Sequence, residues 1–519
     1  GVDIYFYSHS SAAVSRYIRA KDYVANAWDT LDYAQWGTSD GSDDQVFTGL
    51  GPEYWDSANG IGEVRLEAAR ASGLYYGYFD MVKYVVYYNV PPSISSAEIT
   101  NMDDTDNMYA KYKTYTWKVT VTDDDGYSDI DQVHFILAQG TTERCGVYWD
   151  DTTGINKRST NAGWIILGSP SGQSTGVGST LTIEFYVWID WDFGDEDDLE
   201  IRCWANDTYG HETGWVTMQT DYVDVDTSVT VRGFTVDDSR VDVGATVTFT
   251  GNVCYGDSPS NIQVPSSEID YVQILIDTTV KGTQQDTNSF SISVTTSTSV
   301  TKETYHPKVV LNNGEVWDLT TITQDVITDK LTVTLSATDY RTDIDTTVTI
   351  SWEIVRQYDS TTVTDFSITI LRDGVSWYTG SSGSSTDSLS TVGSHTYNCS
   401  SVTDNTYNLT VFETNTITVI WDRIEVYAYS VSDTHVNVSD SVLVWVKLRY
   451  DYDDTIFDSS KGTVYIEDIA ATWDTANQYW YVVLSYSEVT TLSCDIPSSV
   501  TDNTYDLTVI YGAVVIDII

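Results

Sequence analysis

A repeat constrains this chain more than any other feature. SSVTDNTYNLTV at 400–411 returns as SSVTDNTYDLTV at 498–509, one residue different and 98 positions later. A second phrase occurs three times, as VDVGATVTF (241–249), TDIDTTVTI (342–350) and VNVSDSVLV (436–444), at spacings of 101 and 94 residues. Units of this length, written in alternating apolar and polar residues, are the size of one β-sandwich. The C-terminal half therefore reads as a string of similar β modules. Their opening strands align as SVTVRGFTV, KLTVTLSAT and RIEVYAYSV.

The expected organisation is all-β. A β-rich domain occupies 1–91, a larger sandwich 92–227, and three modules 228–327, 328–420 and 421–519. Pro91-Pro92 marks the first border, because proline ends strand pairing. In the first domain, the Ala-rich spacing with Val14, Tyr17, Ile18 and Tyr23 permits a helix near 11–33. YGAVVIDII (511–519) matches a module-closing strand, FETNTITVIW (412–421), so a longer polypeptide is expected.

Composition supports a β reading and excludes several functions. Tyr (38) and Trp (17) suit half-buried pleated surfaces. Of 76 acidic residues only 17 are Glu, and Asp belongs in turns rather than helix interiors. The net charge of −50 and the lack of basic stripes exclude nucleic acid as a partner. Such a charge calls for external salt, bound divalent cations or a need for solubility in a crowded layer. No run of 18 apolar residues occurs, so no membrane span is expected in this segment. The cysteines, Cys145, Cys203, Cys254, Cys399 and Cys494, form no CxxC pair. That excludes a zinc ribbon and c-type haem attachment. A bridge between Cys145 and Cys203 would lie within one domain, and buried free thiols are an equal expectation.

Two acidic loops are candidate calcium sites. The first carries Asp123, Asp125, Asp129 and Asp131, with Gly126 for the turn; the second carries Asp192, Asp195, Asp197 and Asp198. Calcium takes six to eight oxygen ligands, which clustered carboxylates supply, and like charges this close are costly without a counter-ion. Neither loop has EF-hand spacing. The alternative is a solvated acidic turn at the end of a sandwich. Asp103, Asp104 and Asp106, and Asp451, Asp453 and Asp454, are weaker candidates of the same kind. No HExxH, GxSxG, Walker or GxGxxG pattern occurs, so no catalytic residue is assigned and an enzyme is not expected. Sequons stand at Asn206, Asn398, Asn408 and Asn437, about the number chance allows. Asn408, placed in a repeated strand segment, has Asp506 as its counterpart.

With these phrases in hand, the modules over 228–519 resemble the immunoglobulin-like repeats of prokaryotic, especially archaeal, cell-surface and S-layer proteins. VTVTDDDG (119–126) and WDFGD (191–195) resemble phrases of PKD-type surface domains, in reverse order and with Glu196 in place of the usual glycine. The resemblance implies stalks, lattice walls or filament subunits outside the cell, often with calcium and glycans. It makes copies of the same chain the expected partner. The leading expectation is a structural surface protein that self-assembles. The second is an adhesin or glycan-binding stalk, which needs an exposed aromatic platform. The third is a secreted hydrolase with accessory modules.

Overall fold

The computed structural model describes residues 90–519 apart from 257, 486, 489 and 490. Before residue 90 it describes the backbone of six strands: Val2–Ser10, Ser15–Asp22, Ala27–Gln35, Gln45–Phe47, Val64–Ala69 and Gly77–Val86. The chain divides into two compact units: residues 1–228 with 257–260, and residues 229–256 with 261–519.

The described segments of the first domain form two three-stranded sheets. Val2–Ser10 lies between Gln45–Phe47 and Gly77–Val86, and Ser15–Asp22 between Ala27–Gln35 and Val64–Ala69. The helix expected near 11–33 is therefore corrected to two antiparallel strands, with Ser15 opposite Gln35 and Asp22 opposite Ala27. Val14 and Tyr23 lie outside the described residues. The physical reason is that residues 15–20 are paired on both edges, which satisfies their backbone groups as strand hydrogen bonds. Aromatic and β-branched residues such as Tyr17 and Ile18 also suit a strand better than a helix.

The second domain pairs a four-stranded sheet with a six-stranded one. Its strands show the period-two burial that a two-sheet core requires. Along Tyr115–Thr122, residues Tyr115, Trp117, Val119 and Val121 point inward; along Thr180–Ile189, Leu181, Ile183, Phe185 and Val187 do. They meet Val133, Phe135 and Leu137 from the opposite sheet, with the Trp117 and Phe135 rings 5.2 Å apart.

The second unit holds three further sandwiches, which we call modules three, four and five. Module four shows the plan. One sheet runs Ser384–Asp387, Val348–Arg356, Leu331–Ala337, Phe412–Thr414. The other runs Arg341–Asp343, Thr416–Asp422, Gly393–Asp404, Phe366–Arg372, Val375–Gly380. The short strand Arg341–Asp343 lies parallel to the closing strand, and every other partner in that sheet is antiparallel. This is an immunoglobulin-like sandwich. Module three repeats it, with Arg240–Asp242 parallel to Gln324–Asp329. Modules four and five have separate apolar cores, centred on Trp352, Ile370, Tyr397 and Trp421, and on Val444, Leu448, Phe457 and Trp480.

Candidate metal centre and inter-module clamps

The loop 123–129 joins two strands of opposite sheets at one pole of the second domain. It brings Asp123, Asp125 and Asp129 together, one carboxylate oxygen from each within 4.8 Å of the others. The loop is tightly tied. Asp123 Oδ1 accepts from the Asp125 amide at 2.9 Å, Asp125 Oδ2 accepts from the Val90 amide at 2.8 Å, and Gly126 holds the turn at φ +115. Thr208, from a neighbouring loop, donates to the Asp129 side chain and, through its amide, to the Asp129 carbonyl.

Asp123 is the telling residue. It is 1% exposed, and its Oδ2 is buried without a hydrogen-bond partner. Burial raises its pKa, and the nearby Asp129, Asp125 and Asp207 add to the rise. An orphaned buried carboxylate oxygen costs several kcal/mol unless a cation or proton meets it. The donor set, three carboxylates aimed at one point, fits a hard oxygen-loving cation.

The remaining candidates do not join this cluster. Asp131 lies two residues into the next strand, accepts from Asn206 at 3.3 Å, and is raised by burial and then by Asp151 and Asp150. The second acidic loop sits at the opposite pole, since Thr180–Ile189 runs antiparallel to Tyr115–Thr122. Its acids have separate protein partners. Asp195 caps the amides of Thr227 and Ser228 at 2.6 and 2.8 Å, Glu196 pairs with Arg144, and Asp190 pairs with Lys111 at 2.7 Å. Asp192 and Asp197 are exposed, and the Asp198 amide donates to Asp224 at 2.8 Å. Among the described residues these acids do not converge as the first loop does. All five cysteines are free and buried.

Two of the four sequons are poor acceptors by position. Asn206 donates to Asp131 and buries its own Oδ1 without a partner, and Asn398 lies half-buried between two strands. Asn408 and Asn437 are exposed. Asn408 is in a turn rather than the strand expected from the repeat, at φ +55, and Asp506 has the same value. Asn and Asp tolerate that left-handed backbone better than other side-chain-bearing residues, which explains why the repeat keeps one or the other there.

Sequence reading missed a second constellation, built where successive modules meet. Arg240 of module three reaches into module four. Its guanidinium binds Asp359 at 2.6 Å and lies 5.0 Å from the Tyr407 ring centre. Two residues on, Asp242 accepts from the amides of Thr410 and Val411 at 2.9 and 3.0 Å and from the Thr410 hydroxyl at 2.7 Å. The next joint repeats this. Arg341 of module four binds Asp453 at 2.9 Å and lies 4.2 Å from the Tyr505 ring, and Asp343 accepts from the amides of Thr508 and Val509 at 2.7 and 3.0 Å. Each arginine also faces the buried aspartate that closes its own module: Arg240 lies 3.6 Å from Asp329, and Arg341 2.5 Å from Asp422.

The electrostatics are those of a clamp. Burial works against the Arg341 charge, but hydrogen bonds to Asp453 and Asp422 outweigh it and raise its pKa. Arg240 pulls the Asp359 carboxyl down to about 2. A signal for these residues was present: an arginine stands immediately before VDVGATVTF and before TDIDTTVTI, and a tyrosine inside both TDNTY turns.

The outer face of the second domain carries an aromatic row. His134 stacks on Tyr148 with centres 5.2 Å apart and meets the Trp204 ring edge-on at 4.9 Å. Arg158 lies over the half-exposed Trp215 at 5.2 Å and is held by Glu143. Burial first, then Arg158, lowers the His134 pKa to about 4, so the ring is neutral at ordinary pH.

No protein family matches the chain, and no curated protein matches it. Solved structures similar to it include three N-terminal domains of the Hoc outer capsid protein of bacteriophage RB49: 12% identity, TM-score 0.31, covering 56% of this chain and 97% of that one. The ICAM-5 D1–D4 ectodomain fragment is similar at 9% identity and TM-score 0.27, covering 82% and 98%. The S-layer protein rSbsC(31–844) is similar at 13% identity and TM-score 0.18, covering 81% and 54%. At these identities the likeness is one of fold alone.

Proposed function

We propose that this chain is a structural, non-catalytic component of an extracellular surface, a subunit that assembles with copies of itself into an S-layer or surface filament. The observation that carries the reading is the repeated polar joint. Modules four and five each have their own core, and across their joint Arg341 pairs with the exposed Asp453 while Asp343 caps two backbone amides. The ion pair, the two backbone caps and the guanidinium over a tyrosine ring act together on one joint, so the joint resists bending. Resistance to bending is what a wall or filament element requires and what catalysis does not.

Calcium belongs to the same reading. Asp123, Asp125 and Asp129 would hold it, and it would supply the positive charge that the buried Asp123 oxygen lacks. Exposed Asn408 and Asn437 are the sequons best placed for glycans.

Negative-stain imaging of the purified chain with and without calcium tests the assembly. Ordered sheets or fibres are expected, and dispersed single particles at every concentration would overturn it. Chelation should lower the melting temperature of the second domain, and Asp123→Asn should abolish that response. The aromatic row of His134, Tyr148, Trp204 and Trp215 favours a glycan-binding stalk as the second reading, because sugar rings stack on aromatic faces. Glycan-array binding lost in Trp215→Ala, without assembly, would favour it instead.

A further inference from the structure

The longest identity between modules four and five runs from a core strand into the turn at one end of the module. In the segments SSVTDNTYNLTV and SSVTDNTYDLTV, Tyr407 and Tyr505 stack on the preceding module's arginine, and Thr410 and Thr508 cap its aspartate. The arginine and aspartate open the other repeated phrase. Both repeats thus encode two halves of one contact, a plug on one pole and a socket on the other.

The three modules are not equivalent in these halves. Module three has the plug, Arg240 and Asp242, but its corresponding turn at 312–314 is Asn-Asn-Gly, with no tyrosine. Module four has both halves. Module five has the socket, but its plug positions read His435 and Asn437, and both are exposed. The linkers match as well: Asp329-Lys330-Leu331 and Asp422-Arg423-Ile424 each put a buried aspartate before a cation and an aliphatic residue. The two sockets also agree in their loops, where the amides of Tyr358 and Tyr452 donate to the linker aspartate at 3.0 and 2.8 Å.

We propose that plug and socket are a transferable recognition pair. The Arg/Asp pole of one module fits any module presenting the Asp-loop and the Tyr-x-x-Thr-Val turn, and module four is an insertable spacer between module three and module five. The physical case is that each of these partners of Arg240 and Asp242 has a chemical twin on module five: Asp453 for Asp359 and Tyr505 for Tyr407 around the arginine, and the Thr508 and Val509 amides for those of Thr410 and Val411 around the aspartate. The sockets differ at one position that the arginine touches: Arg341 also lies 4.7 Å from the Tyr450 ring, where module four carries Arg356, so the exchange gives Arg240 a further ring to pack on. The inference deepens the mechanical reading and relies on it only for the usefulness of a fixed joint. Its test makes no use of assembly, so the two can fail separately.

The test excises Lys330–Asp422 from the full chain, joining Asp329 directly to Arg423. Spin labels on cysteines replacing Ser291 and Val483 then report the new joint, and labels replacing Ser291 and Thr386 report the parent joint; these positions are exposed. The expected result is a narrow distance distribution in the shortened chain, as in the parent, and its loss on Arg240→His with Asp242→Asn. A broad distribution in a shortened chain whose modules still melt cooperatively would overturn the proposal. If the shortened chain does not fold, the intact chain decides. There Arg341→His with Asp343→Asn, the residues module five carries, should abolish the narrow peak between labels at Thr386 and Val483. The Ser291–Thr386 peak should be untouched. An unchanged peak at the altered joint refutes the proposed pairing.

Discussion

Single aspartates do unusual amounts of structural work in this protein, in three distinct ways. Some tie backbone amides, as Asp343 does for Thr508 and Val509. Some hold left-handed turns, as Asp506 does at φ +55. Asp123 buries a carboxylate oxygen that has no hydrogen-bond partner. The turn role gives a clean prediction. Asp506→Asn reproduces the residue of the preceding repeat and should leave stability unchanged. Asp506→Val should cost about 1–2 kcal/mol, because a β-branched side chain fits the left-handed backbone poorly. Denaturant unfolding of the two variants measures the difference.

At the scale of elements, the clamps convert a charged surface into defined joints. Their strength depends on pH with a definite sign. Asp359 has a folded pKa of about 2 against an ordinary 3.8, so it favours the docked state. A depressed carboxylate contributes fully above its ordinary pKa and loses that contribution as pH falls through the folded value. The joint between modules three and four should therefore loosen between roughly pH 4 and pH 2. Hydrogen exchange at the Thr410 and Val411 amides, which Asp242 holds, would report it. Asp359→Asn should bring faster exchange already at neutral pH. Exchange that stays equally slow in that variant would show that Arg240 is not held through Asp359.

The whole molecule carries −50 at neutral pH, with a sequence pI near 4.1. Repulsion of that size acts on every joint and on any contact between copies. Raising ionic strength from 0.1 to 1 M shortens the screening distance from about 10 to about 3 Å, so melting temperature should rise with sodium chloride. A calcium site adds a response beyond screening, seen as a larger rise at matched ionic strength. Identical curves for calcium and for an inert salt would argue against the Asp123 centre. Solubility should be lowest near pH 4, where self-repulsion vanishes, as turbidity would record.

How much of this was legible beforehand follows from the range of the forces involved. Alternation in YTWKVTVT or TLTIEFYVWI is local, and it dictated strands because a period of two leaves no other way to bury one face. The repeat spacing, also read along the chain, fixed the module size. The sequence alone could not decide between strand and helix at 11–33, where pairing with Ala27–Gln35 and Val64–Ala69 won over alanine propensity. Nor could it tell which acidic loop converges: Asp123, Asp125 and Asp129 do, whereas Asp195 is spent on the amides of Thr227 and Ser228. The clamps lay furthest from view. Arg341 and Tyr505 stand 164 positions apart in the chain and 4.2 Å apart in space, and only the folding of two cores brings such groups together.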